Sequence, residues 1–361
     1  MTDFYAATRK GLFGLAFDRS HALCVTSTHF LGEPVTQVMC DPRDGAIYAA
    51  LRLGHFGPKL HRSDDGGKSF AEIAAPAFPK SEDEKAPGVD TLWALAAGGK
   101  DAPGRLYCGT IPAGFFVSDD RGASWRHLAA LDRVPGREKW FGGGYDHPGI
   151  HSLVVDQKDS AHVLIGVSCG GVWETHDGGQ SWALRTNGLF ASYMPPEQAD
   201  DGATQDPHAI AACAADPGHL WMQHHNGMFH SGDGAKTWRH LKDVPVSDFG
   251  FLVLAHPRDP KTAWFVPAVS DEKRYAVDGA LCVTKTVDGA QHFSVKRAGL
   301  PQAHAYDLFY RHGGAVDATG TRLVIGSTTG GIFSSADGGE TWRELPARLP
   351  PVYAMAYGGG R

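Results

Sequence analysis

Long apolar runs are missing from this chain. Nowhere among its 361 residues is there a stretch near the roughly 18 apolar residues that a membrane-crossing helix needs. The opening segment MTDFYAATRKGLFG carries an acid at position 3 and no continuous apolar stretch, so no secretory leader is expected. Cysteine is sparse and unpaired in pattern. The six (Cys24, Cys40, Cys108, Cys169, Cys213, Cys282) include no CxxC pair and mostly sit in apolar, strand-like segments. A disulfide scaffold is therefore not expected, and a cytoplasmic protein is. Charge of one sign is also lacking: 34 basic against 40 acidic residues leave −6, too mild to predict nucleic acid or a membrane surface as partner. What the chain has in quantity is glycine, 46 residues, with 9 tryptophans and 19 histidines. Tight turns joining short strands, with large rings filling the space between sheets, suit that mixture.

One motif recurs six times: SDDGGKSF from Ser63, SDDRGASW from Ser118, THDGGQSW from Thr175, SGDGAKTW from Ser231, TVDGAQHF from Thr286 and SADGGETW from Ser335. Its aspartates, Asp65, Asp120, Asp177, Asp233, Asp288 and Asp337, are 55, 57, 56, 55 and 49 residues apart. A period of that length fits one four-stranded sheet plus its loops, repeated. An Asp side chain can accept from nearby backbone N–H groups and fix a tight turn, a Ser or Thr hydroxyl adds a second local bond, and Gly permits positive φ. Six copies argue for scaffold, not catalysis. Two copies depart, with Ala235 and Ala290 where glycine stands elsewhere, which weakens those turns without breaking the register.

These octapeptides resemble the Asp-box, or bacterial neuraminidase repeat, Ser/Thr-x-Asp-x-Gly-x-x-Trp/Phe. The resemblance implies an all-β protein: a seven-bladed β-propeller of four-stranded antiparallel blades. Each motif lies inside a larger unit. Around Asp177, HSLVVD (151–156), HVLIGVS (162–168), GGVWETH (170–176) and SWALRT (181–186) read as four strands from inner to outer. In the last unit the same order gives AYDLFYR, TRLVIGS, GGIFSSA and TWREL. FYAAT, GLFGLAF and HALCVTSTHF near the N-terminus carry no motif, and PVYAMAY near the C-terminus matches an inner strand. Together they predict one shared blade that closes the ring and removes an open sheet edge. The blades then span 2–31 plus 351–358, 34–75, 90–131, 150–187, 208–242, 250–298 and 304–346, in one domain over 1–361. A six-bladed ring with an N-terminal extension is the alternative.

Chemistry is expected opposite the Asp turns, on the face carrying the loops that enter each inner strand and join the second strand to the third. Segments 76–89, 132–150, 187–207 and 268–279 are long there and would wall a pocket at the channel mouth. Histidines gather on the same face. His147 and His151 flank the fourth inner strand, His208 opens the fifth, His304 opens the seventh, and His224, His225 and Asn226 form a loop. Asp90, Tyr145, Asp146, Asp206, Asp248 and Tyr306 accompany them, with Arg52, His55, Lys273, Arg274 and Tyr275 on similar loops.

His151, His208, Asp146, Tyr145 and Asp206 are the candidate catalytic set. Arg52, His55, Asp90, His147, His224, His225, Asn226, Arg274, Tyr275 and His304 are candidate ligand-binding residues. His147, His151, His208 and His304 could hold a divalent metal, since neutral imidazole suits first-row ions. The expected ligand is small and polar, a sugar or acid, handled by a monomer. The resemblance adds glycan hydrolase or lyase-like chemistry, although the Arg-Ile-Pro motif of sialidases is absent and no Tyr/Glu pair stands out, so classical sialidase activity is not implied. The same superfamily includes sortilin-type receptors and a photosystem assembly factor, which implies a non-catalytic protein- or peptide-binding scaffold as the alternative. A His-ligated metal-dependent enzyme is a third reading.

Overall fold

The computed structural model describes residues 2–80, 82 and 86–359. Part of the 76–89 segment, residues 81 and 83–85, lies outside the described residues. The strands form seven four-stranded antiparallel sheets, the blades of a seven-bladed β-propeller, and the helix among the described residues is limited to single 3-10 turns between them. By contact density the chain divides into two compact units. One comprises Met1–Val38, Asn187–Leu189 and His208–Arg361, and the other Met39–Thr186 and Phe190–Pro207.

The first unit holds blades 1, 5, 6 and 7. Blade 1 is assembled from both ends of the chain: Val352–Tyr357 pairs with Phe4–Thr8, which pairs with Gly11–Phe17 and then Leu23–His29. Phe4 faces Tyr357 across the inner pair and Ala6 faces Met355. Phe4, Ala6, Leu15, Val352 and Met355 bury their side chains with Val324 and Ile332 of blade 7. Burial of this apolar surface, at roughly 25 cal/mol per Å², holds the terminal strand in place.

Blade 5 contains Pro207–Cys213, Asp216–His224, Gly227–Ser231 and Arg239–His240. Blade 6 contains Gly250–Ala255, Ala263–Pro267, Val283–Thr286 and Ser294–Lys296. Blade 7 differs from the sequence expectation: its inner strand is Gly314–Val316, not the AYDLFYR segment. That segment buries Ala305, Leu308 and Phe309, a spacing of three and then one that no alternating strand provides. Ala305 and Phe309 instead pack as irregular chain against Trp264 and Leu252. His304 therefore does not open a strand. It is exposed on a left-handed turn with φ 55°.

The second unit holds blades 3 and 4 and most of blade 2. Blade 3 is Thr91–Ala97, Leu106–Ile111, Phe115–Ser118 and Arg126–His127. Blade 4 is Ile150–Val155, Val163–Val167, Gly171–Thr175 and Ala183–Leu184. Tyr107 and Phe115 of blade 3 stack on each other at 5.2 Å and pack with Ile150, Ile165 and Trp173 of blade 4. The 132–150 segment is only partly loop wall. Val134 and Trp140 enter that same core, and Arg137 lies 4.3 Å over the Trp140 ring, leaving 143–147 exposed.

The six Asp turns share one bonding scheme. In blade 4 the Thr175 hydroxyl donates to Asp177 at 2.7 Å and accepts from the Gly179 N–H at 2.9 Å. Asp177 also accepts from the Ser181 N–H at 2.9 Å and the Ser181 hydroxyl at 2.5 Å. The same bonds recur around Asp65, Asp120, Asp233 and Asp337, and His292 replaces the final hydroxyl at Asp288. That seventh-position donor was visible in the sequence as Ser or Thr in five copies out of six, yet the motif pattern leaves it as x.

Candidate functional site

Two clusters gather candidate residues, one within each unit. In the second unit, His151 is the second residue of the inner strand Ile150–Val155 and is 1% exposed. Its Nδ1 shares a 2.8 Å hydrogen bond with the Ser152 hydroxyl, and its ring meets Trp93 edge-on at 5.6 Å. Trp93 also receives the edge of Tyr145, at 5.2 Å. Asp206 is buried, accepting from the Cys169 N–H at 3.1 Å and the Ser168 hydroxyl at 3.4 Å. Gly143 explains how the exposed loop lies on this group. A Cβ there would sit 2.9 Å from Cys169 Sγ and 3.4 Å from Asp206 Oδ2, so any larger residue would push the loop away. Tyr193 completes the surroundings. Its hydroxyl donates to the Thr204 carbonyl at 2.7 Å, and burial, aided by the charge of Asp206 and by Cys169, raises its pKa. Asp146 and His147 are exposed on the loop itself.

In the first unit, His208 is likewise the second residue of its inner strand, Pro207–Cys213, and is 2% exposed. Its Nδ1 shares a 2.6 Å hydrogen bond with the Gly250 carbonyl, and its ring stacks on Phe251 at 4.3 Å. His225, half-buried, presents an edge to His208 at 5.5 Å. Two guanidinium groups share the Phe251 ring. Arg274 lies 5.3 Å and Arg311 5.7 Å from its centroid, within cation–π range. Arg311 donates from Nε to the His208 carbonyl at 2.7 Å, and Arg274 pairs with Asp271 in its own loop. The sequence reading missed Arg311 and Phe251, because both fall in apolar or irregular stretches with no motif. Arg311 falls in AYDLFYR, which the sequence pattern predicts as a strand.

The other candidates scatter or turn inward. Arg52 and Asp90 form a 2.9 Å ion pair at an exposed position, and His55, three residues after Arg52, meets the Phe56 ring at a tilt, 3.9 Å between centroids. His224 is not on a loop. It ends the strand Asp216–His224, is fully buried, and its Nδ1 accepts from the Asn226 N–H at 3.1 Å, so it fixes the His225–Asn226 turn. Tyr275 meets Tyr306 edge-on at 6.0 Å. None of His147, His151 and His304 belongs to a group of three described metal-ligand side chains whose donor atoms lie within 4.8 Å of one another. Two of these histidines are exposed on loops and the third is engaged inside its blade, so the expected imidazole set does not form. No described helix is long and apolar enough to cross a membrane.

The fold and these two clusters define the class: a β-propeller whose inner-strand openings carry ionisable and aromatic groups. Among known proteins, no family model and no curated sequence matches the chain. Solved structures do match. A glycoside hydrolase family 74 xyloglucanase from Xanthomonas campestris is 17% identical with a TM-score of 0.62, covering 99% of this chain and 53% of its own. An ancestral enzyme of that glycoside hydrolase family is 14% identical, with a TM-score of 0.59 and 83% and 36% covered. YCF48 from Cyanidioschyzon merolae is 14% identical with a TM-score of 0.54, covering 93% and 92%. A structure of YCF48 bound to D1 peptide is also similar, at 14% identity and TM-score 0.53, covering 86% and 80%. The chain thus spans about a third to a half of the length of the hydrolases. At such identities the likeness shows the propeller fold.

Proposed function

We propose that the protein binds a small acidic ligand, a sugar acid or related carboxylate, at the His208–Phe251 cluster of the first unit. The observation that carries this is the convergence of Arg274 and Arg311 on one buried ring that also stacks on His208. Guanidinium groups present planar forks that match a carboxylate, and a ring beneath them fixes their plane. His225 adds a half-buried imidazole able to exchange a proton with a bound acid, the starting point for hydrolase or lyase-like chemistry. The family 74 neighbours are consistent with a glycan as the source of that ligand, and the bonding repeated around the six aspartates supports kinship with Asp-box proteins.

Calorimetric titration with glucuronate and galacturonate, beside glucose, tests the reading. Acidic sugars should bind and glucose should not, and Arg274→Ala and Arg311→Ala should each weaken binding about tenfold, the equivalent of about 1.4 kcal/mol. Equal binding of neutral and acidic sugars, or affinity unchanged in both variants, overturns it.

A second reading, a peptide-binding scaffold, is favoured by one observation: the YCF48 neighbours are covered over 80% and 92% of their length, so this chain is their size. Under it an acidic peptide would bind the same arginines, while the monosaccharide acids would not bind.

A further inference from the structure

The strand register of blade 4 builds a second constellation that the ligand reading above does not use. Val163 pairs with Thr175 and Leu164 with Glu174. Continued by one residue, that register sets His162 opposite His176, with Glu174 two residues back and so on the same face of the sheet. The side chains meet as the register requires. Glu174 Oε1 is 2.8 Å from His162 Nε2, Glu174 Oε2 is 3.3 Å from His176 Nε2, and the two imidazoles lie 4.2 Å apart, nearly parallel. The three donor atoms all fall within 4.8 Å of one another.

We infer that His162, Glu174 and His176 form a binding site for a divalent first-row metal ion, with zinc as the natural occupant. Three arguments support it. Two imidazoles and a carboxylate are a zinc donor set, and ligands about 2.0–2.1 Å from a tetrahedral ion stand roughly 3.3 Å from one another, a spacing that donors already within 4.8 Å reach by small side-chain shifts. His162 also has an orienting carboxylate: Asp156 Oδ2 lies 3.5 Å from its Nδ1. A carboxylate there favours the tautomer that carries its proton on Nδ1, in which the Nε2 lone pair faces Glu174. A lone pair aimed at a carboxylate oxygen needs a cation between them, a proton or a metal ion. Finally, Arg185 holds the far side of Glu174, donating from Nε to Oε2 at 2.6 Å, which leaves Oε1 to serve as a single ligand atom.

The site is also accessible. Glu174 is buried, but the His176 side chain is 63% exposed and can swing to complete the coordination. With three protein ligands, a fourth position faces solvent, the pattern of an ion that can hold water or a further ligand.

The test uses the full chain purified without an affinity tag, stripped with chelator and titrated with Zn²⁺ against a competing indicator, then with Co²⁺ followed by visible absorption. One ion per chain should bind, with the intense absorption of a four-coordinate Co²⁺ site. Because His176 is largely exposed, His176→Ala should fold as the parent does, checked by circular dichroism, yet lose at least tenfold in affinity. Asp156→Asn should weaken binding by about 10–100-fold through loss of orientation. His292→Ala, removing an 87% exposed imidazole that pairs with Asp288 in another blade, should leave affinity unchanged. Absence of a stoichiometric site, or binding that survives His176→Ala, would show that the cluster is an ion-pair network closed by protons and would overturn the assignment.

Discussion

Two kinds of position recur in every blade that carries an Asp turn, and they have opposite fates. The Asp turns are near copies: one bonding scheme, six times, with a single substitution of imidazole for hydroxyl. The second residues of the inner strands follow no common pattern. From blade 2 to blade 7 they are Thr36, Leu92, His151, His208, Phe251 and Ala315, with Tyr353 at the same place in blade 1. A turn is specified by local chemistry that every copy needs, so its residues repeat. An inner-strand opening is constrained only by the neighbours it meets, so it is where a repeat protein can diversify. His151 and His208 show how far: the same place in the blade gives one imidazole a serine partner beside Trp93 and the other a carbonyl partner on Phe251.

The largest expected effect breaks the idea that such openings are merely chemical. Both histidines are almost fully buried and hydrogen-bonded, so truncation leaves a cavity and strands a partner. His151→Ala and His208→Ala should each cost about 2–4 kcal/mol in urea unfolding. The sequence pattern, which places both at a solvent-lined rim, leads to the opposite expectation of unchanged stability. A loss below about 0.5 kcal/mol for either would return that residue to the rim.

That contrast marks what was legible in the sequence. The seven blades were legible because six octapeptides in register, with matching strands around them, leave little freedom in how the chain is cut into sheets. Blade 1 followed from the inner-strand pattern of 351–357. The inner strand of blade 7 was not legible: Ala305, Leu308 and Phe309 carry the apolar content of a strand but the spacing of an irregular packed segment. The contacts of the candidate residues were not legible. Burial and pairing depend on residues far apart in the chain, and Arg311, 103 positions from the His208 carbonyl it contacts, leaves no local sign.

The turns come next in size. Asp177→Ala removes the acceptor for the Thr175 and Ser181 hydroxyls and for the Ser181 N–H, and should destabilise by about 1–3 kcal/mol, since the turn donors then turn to water at the surface. Arg274→Ala, exposed and, among the described residues, bonded within its own loop apart from its contact with the Phe251 ring, should change stability by less than about 0.5 kcal/mol. Comparable losses for the two would erase the distinction between repeated turn and variable opening.

Acid sharpens it further. The Ser124 hydroxyl and N–H and the Ser118 hydroxyl hold Asp120 at about 2, and the Thr237 hydroxyl and N–H do the same for Asp233. For Asp177 burial pulls upward and is outweighed by the Ser181 hydroxyl and N–H, again giving about 2. Unfolded aspartate titrates near 3.9, so between these values the unfolded chain binds more protons. The turns' contribution is therefore full above about pH 4 and is lost as pH falls toward about 2. Urea midpoints should drop from pH 5 to pH 3, and Asp177→Asn should flatten the decline. Because the cause is hydrogen bonding, added salt should leave the slope nearly unchanged, whereas a slope abolished by salt would assign it to long-range charge.

The smallest effect lies where the repeat departs from itself. Ala235 and Ala290 both sit at φ 63°, in the left-handed region that disfavours a side chain by roughly 1–2 kcal/mol. Blade 7 keeps glycine at this place for a packing reason: a Cβ on Gly339 would lie 2.6 Å from the Trp264 indole nitrogen, whose N–H is bonded to the Gly338 carbonyl at 3.0 Å. No such ring forbids the methyl in blades 5 and 6, and there it packs. Ala235 is fully buried, so Ala235→Gly trades relief of strain against the loss of a buried methyl, about 0.8 kcal/mol, and should be close to neutral. Ala290 is only partly buried, so Ala290→Gly should stabilise by about 0.5 kcal/mol after the added freedom of the unfolded chain is subtracted. If both variants instead destabilise, the methyls contribute more than the backbone strain costs, and alanine at these two turns is a packing choice, not a tolerated defect.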